Sequence, residues 1–135
     1  MNKIPKIFLI TGIQIRPLDS YHSSYVEYKL RFYNNDYKAP VLDKRTFGWS
    51  PTYEEAEKWV LENASDIAEG GTFHWSVIEG FTPGIYIYKP DPQVFFEFIG
   101  DWKTDGHYEK INEFPKPIND YCEKHYLVKS FSSIG

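Results

Sequence analysis

Between Thr52 and Asn63 the apolar residues recur with a helical period; in most of the rest of the 135-residue chain they alternate. That contrast limits the fold more than any other feature, because one amphipathic helix must find its cover on a chain otherwise written as strands. Thr52 is placed to cap the helix, and Glu55, three residues on, completes a Thr-x-x-Glu capping box. Tyr53, Ala56, Trp59, Val60 and Asn63 form its inner stripe, with Trp59 expected beneath it; Glu54, Glu55, Glu57, Lys58 and Glu62 fill the outer face. The helix is expected over about 52–64, with a further turn over Ser65–Glu69 before Gly70-Gly71 stops it.

The remaining elements read as strands. Lys6 to Arg16 puts Ile7, Leu9, Ile13 and Ile15 on one face and Phe8 and Ile10 on the other, as in a strand covered on both sides. Ser24 to Tyr33 alternates with Val26, Tyr28, Leu30 and Phe32 inward, a half-solvated strand expected to pair with the first. Lys44 to Trp49 is a short third strand. Beyond the helix, Phe73–Glu79, Gly84–Tyr88, Val94–Trp102 and His107–Ile111 make a β-meander, with Thr104-Asp105-Gly106 as a hairpin signal. Pro115 and Pro117 introduce a short helix over Ile118–His125. The expectation is a single α+β domain over 1–135: a mainly antiparallel sheet of six to seven strands, one helix packed on it, and a short C-terminal helix.

Composition supports the strands. Four Trp, eleven Tyr and ten Phe make 25 aromatic residues, and thirteen Ile and six Val stand against four Ala and six Leu. Residues suited to a pleated, half-buried surface therefore outnumber the best helix formers. The net charge of −4 argues against generic nucleic-acid binding, which needs a concentrated positive field. The lone Cys122 cannot form an internal bridge, which points to a reducing, cytoplasmic setting. Lys3 and Lys6 precede an apolar stretch, but its longest unbroken run is Ile7–Ile10 and no small-residue cleavage site follows. It reads as a strand, not as a signal peptide, and no run approaches a membrane span.

Catalytic signatures are missing. The chain has no Gly-rich phosphate loop, no G-x-S-x-G elbow, no paired C-x-x-C and no H-E-x-x-H. Asp101–Gly106 opens like a calcium loop, yet Lys103 and Asn112 stand where acidic ligands belong. Glu97 and Glu109 could pair as acid and base, against the plainer reading of a solvated hairpin face. Cys122, with His125 one turn on, has the spacing of a nucleophile and base but lacks any oxyanion-stabilising motif. No metal or cofactor is expected.

Positive charge with good geometry gathers early, at Arg16, Lys29, Arg31, Lys44 and Arg45, interleaved with Tyr21, Tyr25, Tyr28, Tyr33, Phe47 and Trp49. Arginine forks suit phosphate and carboxylate, and aromatic faces stack bases. The expected ligand-binding set is Arg16, Arg31, Arg45 and Lys29 for charge, with Tyr25 and Trp49 for stacking. It requires Arg16, Arg31 and Arg45 to converge.

The runs Arg45-Thr46-Phe47-Gly48-Trp49 and Thr52-Tyr53-Glu54-Glu55-Ala56, then Asn63 with Asp66-Ile67-Ala68-Glu69, resemble a loosely defined group of small uncharacterised proteins of bacteria and their mobile elements. The resemblance continues through Val77-Ile78-Glu79 and Gly84-Ile85-Tyr86 to Gly106 and Tyr108. It implies the strand–helix–meander order and a cytosolic setting, and it carries no catalytic residues.

Together these readings favour a non-enzymatic protein that captures a small anionic, aromatic ligand, such as a nucleotide-derived signal, as a phage or mobile-element accessory in counter-defence. The alternative is a protein–protein module, an inhibitor or immunity-type protein, whose aromatic, acidic face docks on one partner through Trp102 or Trp75. A hydrolase built on the late carboxylates is the weakest of the three. Both leading readings accommodate a symmetric homo-oligomer, and neither calls for a membrane.

Overall fold

The computed structural model describes residues 6–17, 40–69, 72–82, 90–101 and 103–132. Five strands form one antiparallel sheet: β1 (Ile7–Pro17), β2 (Pro40–Ser50), β3 (Trp75–Phe81), β4 (Gln93–Ile99) and β5 (His107–Ile111), in the order β2-β1-β3-β4-β5. Three helices accompany it among the described residues: α1 (Tyr53–Glu62), α2 (Ala64–Ala68) and α3 (Lys116–Lys124). The α+β class matches the sequence reading; of the four strands expected in the meander, three are described as β3, β4 and β5, and β3 pairs directly with β4. The strand number among the described residues is five, not six to seven. The two further expected strands, Ser24–Tyr33 and Gly84–Tyr88, lie outside the described residues.

The described neighbours of the first strand are β2 and β3. Over Phe8–Ile13, β1 is hydrogen-bonded to β2 on one side and to β3 on the other, so both its edges there are taken. β2 is also longer than the six residues foreseen, because pairing with β1 extends it from Ser50 back to Pro40. A strand that borrows its order from a neighbour outruns its own propensity.

The sheet is covered on both faces, as the two-sided pattern of β1 requires. Ile10, Ile78, Phe96, Phe98 and Tyr108 pack under Ala56 and Val60 of α1 and Ile67 and Ala68 of α2. Ile13, Ile15, Trp75, Val77 and Phe95 pack on the opposite side against Ile118 and Cys122 of α3 and Phe131 of the C-terminal segment. α1 begins where the capping box places it: the Glu55 N–H donates to Thr52 Oγ1 at 3.2 Å. Its inner residues are Ala56 and Val60, both wholly buried, whereas Trp59 sits half-buried at the margin instead of beneath the helix. α2 ends at Glu69, in a left-handed conformation with φ 48°.

A bulge in β2 shapes the edge of the molecule. Gly48 pairs with Ile10 and Thr46 with Thr11, leaving Phe47 as the extra residue. The insertion reverses the alternation, so Trp49 pairs with Leu9 instead of sharing a face with Arg45, and it stays 64% exposed. Gly12 of β1 permits the bulge: a Cβ there would stand 2.9 Å from both the Phe47 and Phe73 rings. No helix among the described residues is long and apolar enough to cross a membrane.

Candidate functional site

The bulge opens a cleft of about 340 Å³ between β2 and the start of α1, lined by Ile10, Phe47, Gly48, Trp49, Ser50, Glu55 and Trp59. Its volume lies at the lower end of the range for small-molecule sites. The Phe47 ring stands edge-on to Phe73 at 5.7 Å and tilted to Trp59 at 6.5 Å, so its orientation is set by packing. The Arg45 guanidinium lies 5.0 Å from the centre of the same ring. A carboxylate, Glu55, faces the cleft and accepts the Ser50 hydroxyl at 3.2 Å. The arrangement offers flat apolar faces, one hydrogen-bond acceptor for a ring amine, and an arginine at the flank.

The cations foreseen from sequence fare differently. Arg45 is exposed and paired with Glu69 at 2.5 Å. An ion pair this open to water is weak, so a ligand anion could replace Glu69 at small cost. Arg16 is buried, and its Nε donates to Asp43, whose same oxygen takes Gln14 Nε2 at 2.9 Å. The register sets Arg45 opposite Gly12, Asp43 opposite Gln14 and Val41 opposite Arg16. Arg16 and Arg45 therefore share a face with the Gln14–Asp43 pair between them, and the structure does not bring them together. Arg31, Lys29 and Tyr25 lie outside the described residues.

The late carboxylates are cross-strand neighbours: Glu97 of β4 pairs in register with Glu109 of β5. Each has its own histidine, His74 Nε2 at 2.9 Å from Glu97 and His107 Nε2 at 3.1 Å from Glu109. Two like charges directly opposite repel, and each carboxylate is hydrogen-bonded to its own imidazole. Hydrogen bonding to the Asp105 carbonyl, then to Glu109, raises the His107 pKa above its ordinary value. In the Asp101–Gly106 turn, the Asp101 N–H donates to Asp105 Oδ1 and the Lys103 N–H to Asp101 Oδ1, so the side chains that mimic a calcium loop serve the turn itself. Among the described residues no group of three or more His, Cys, Asp or Glu is arranged to hold a metal ion.

One expectation about side chains needs correction. Trp75 is 2% exposed, packed between Ile13 and Phe95 in the core, so it cannot serve as a docking hot spot. Trp102 lies outside the described residues. Cys122 is buried in the same core, and burial pushes its thiol up against the opposing pull of Lys129 and Lys44. A thiol held protonated is a poor nucleophile, and the nearby His125 ring stacks on Tyr121 at 4.4 Å.

Sequence reasoning overlooked Glu79. It is fully buried on the central strand β3, and its carboxylate accepts the N–H groups of Phe131 and Ser132, the Ser132 hydroxyl at 2.7 Å and Gln93 Nε2 at 2.9 Å. The signal was a carboxylate ending the apolar run Val77-Ile78. Comparison of the chain with protein-family models, curated proteins and solved structures finds no match.

Proposed function

We propose that the protein binds, without transforming, a small ligand that joins a planar aromatic ring to an anionic group, with nucleotide derivatives as the leading class. The observation that carries this reading is the Phe47–Trp49–Trp59 cleft with Arg45 lying on the Phe47 ring. A base stacks among the rings and offers an exocyclic amine to Glu55. Its phosphate draws Arg45 away from Glu69 through the paired donors of the guanidinium. Arg31, Lys29 and Tyr25 are assigned to the same ligand, and Arg16 to the framework beside it. A sequestering role for a mobile-element accessory follows the resemblance noted above.

The test is a nucleotide panel read by thermal shift and by tryptophan fluorescence. At least one nucleotide should raise the melting temperature and quench fluorescence. Trp49→Ala and Arg45→Ala should each weaken that nucleotide by about tenfold or more, the equivalent of about 1.4 kcal/mol. A panel with no shift, or variants that bind like the parent, sinks the proposal.

A further inference from the structure

The polar groups of the β2–α1 cleft discriminate among bases. Glu55 and Trp59 lie one helical turn apart on α1, and both line the cleft. In a complete Thr-x-x-Glu box the Glu55 carboxylate would accept the Thr52 N–H. Among the described residues it accepts the Ser50 hydroxyl instead, at 3.2 Å on Oε2, while the Thr52 N–H points to Ser50 Oγ at 3.5 Å. Ser50 is buried, so it holds the carboxylate from the β2 side with its proton turned toward Glu55.

The remaining lone pairs of that carboxylate are open. Among the described residues no lysine or arginine pairs with Glu55, whereas Glu57 has Lys110 at 2.8 Å and Glu69 has Arg45. Glu54 and Glu55 also make the first turn of α1 acidic, and that turn repels a phosphate. The Arg45 guanidinium, 5.0 Å from the centre of the Phe47 ring, supplies the opposite charge at the flank. A nucleotide therefore enters with its base toward Glu55 and its phosphate toward Arg45.

Hydrogen-bond chemistry then selects the base. A carboxylate accepts hydrogen bonds and donates none. It is best satisfied by two donors side by side, as in the fork of an arginine. Guanine alone among the common bases offers that pair on its Watson–Crick edge, with N1–H next to the N2 amine. Adenine and cytosine each set an amine beside a ring-nitrogen acceptor, and uracil sets one N–H between two carbonyls. Each of those three turns a lone pair toward a carboxylate oxygen. The aromatic walls add affinity without preference, because every base has a π-face.

We propose that Glu55 makes the cleft selective for guanine nucleotides. Its carboxylate accepts N1–H and the N2 amine of a guanine packed against Trp59, Ser50 fixes the carboxylate, and Arg45 meets the phosphate. This assignment rests on the nucleotide reading of the cleft and adds the identity of the base. Glutamine at the same position reverses the logic, because an amide presents one acceptor beside one donor, the complement of adenine's N6 amine and N1.

Isothermal titration calorimetry of the full-length protein with GMP, IMP, AMP, CMP and UMP tests it. GMP should bind about tenfold or more tightly than AMP, CMP or UMP, the equivalent of about 1.4 kcal/mol. IMP keeps N1–H and lacks only the N2 amine, so it should lose about as much relative to GMP. Glu55→Gln should weaken GMP by about tenfold or more and strengthen AMP, with cooperative melting retained. The comparison of IMP with GMP needs no variant, so it decides the matter even where Glu55→Gln does not fold. Equal binding of GMP and IMP, or tighter binding of another base, overturns the guanine assignment and leaves the nucleotide reading standing. So does an order of bases that Glu55→Gln leaves unchanged. Silence from all five also overturns the guanine assignment, and where the wider nucleotide panel is silent too the nucleotide reading falls with it.

Discussion

Glu79 shows how one side chain can hold a segment of chain that has no secondary structure of its own. Residues 125–132 lie across the sheet because a single carboxylate accepts two backbone N–H groups, a hydroxyl and an amide in the protein interior. An amide in its place would offer one oxygen and turn an N–H₂ toward those donors. Glu79→Gln should therefore cost about 2–3 kcal/mol in urea unfolding, the scale of hydrogen bonds to a buried charge. Faster hydrogen exchange at the Phe131 and Ser132 amides should accompany the loss. Unchanged exchange there would show that Phe131 packing, and not the carboxylate, holds the segment. Sequence reasoning could see that a charge interrupts an apolar run in β3, but not what it grips, since its partners lie 52 and 53 residues away.

At the scale of elements, the parts with local signals were the legible ones. The Thr52 cap of α1, the added turn of α2 and the hairpin at Gly106 all depend on residues within a few positions of each other, and each stands where the pattern put it. The end of α3 carries no such signal, because Tyr126 occupies a position where glycine is the rule. Tyr126→Gly should relieve the left-handed strain and stabilise the protein by about 1 kcal/mol, measured as a raised urea midpoint. A variant that is no more stable would mean that the tyrosine ring is supported in the folded state. The β2 bulge was equally invisible, since the extra residue is defined only by what faces it on β1.

On the scale of the whole molecule, two helical layers clasp one sheet, and the sheet's far hairpin carries two exposed groups whose titration is shifted, Asp105 and His107. The His107 pKa is raised by the Asp105 carbonyl and Glu109, so its contribution is complete below the ordinary imidazole value of 6.5 and is lost as pH rises through its folded value. The Asp105 pKa is lowered, chiefly by the Asp101 N–H, so its contribution holds above 3.8 and is lost as pH falls through its folded value. The hairpin should thus be most protected from hydrogen exchange between about pH 4 and 6.5, and Glu109→Gln should lower the His107 midpoint in an NMR titration. A midpoint that does not move would assign the shift to the Asp105 carbonyl. By itself the sequence determined the class of fold, the two-faced first strand and the position of the main helix, because period, caps and turn residues act over short distances. It also marked Arg45 and Trp49 as candidates, since side-chain chemistry is written in residue type. Only the tertiary structure decided that β2 lies beside β1, that Arg16 is buried against Asp43 away from Arg45, that Trp75 is core, and that Phe47 and Trp59 wall a cleft. Those outcomes depend on register and on contacts between distant residues, which no local pattern encodes.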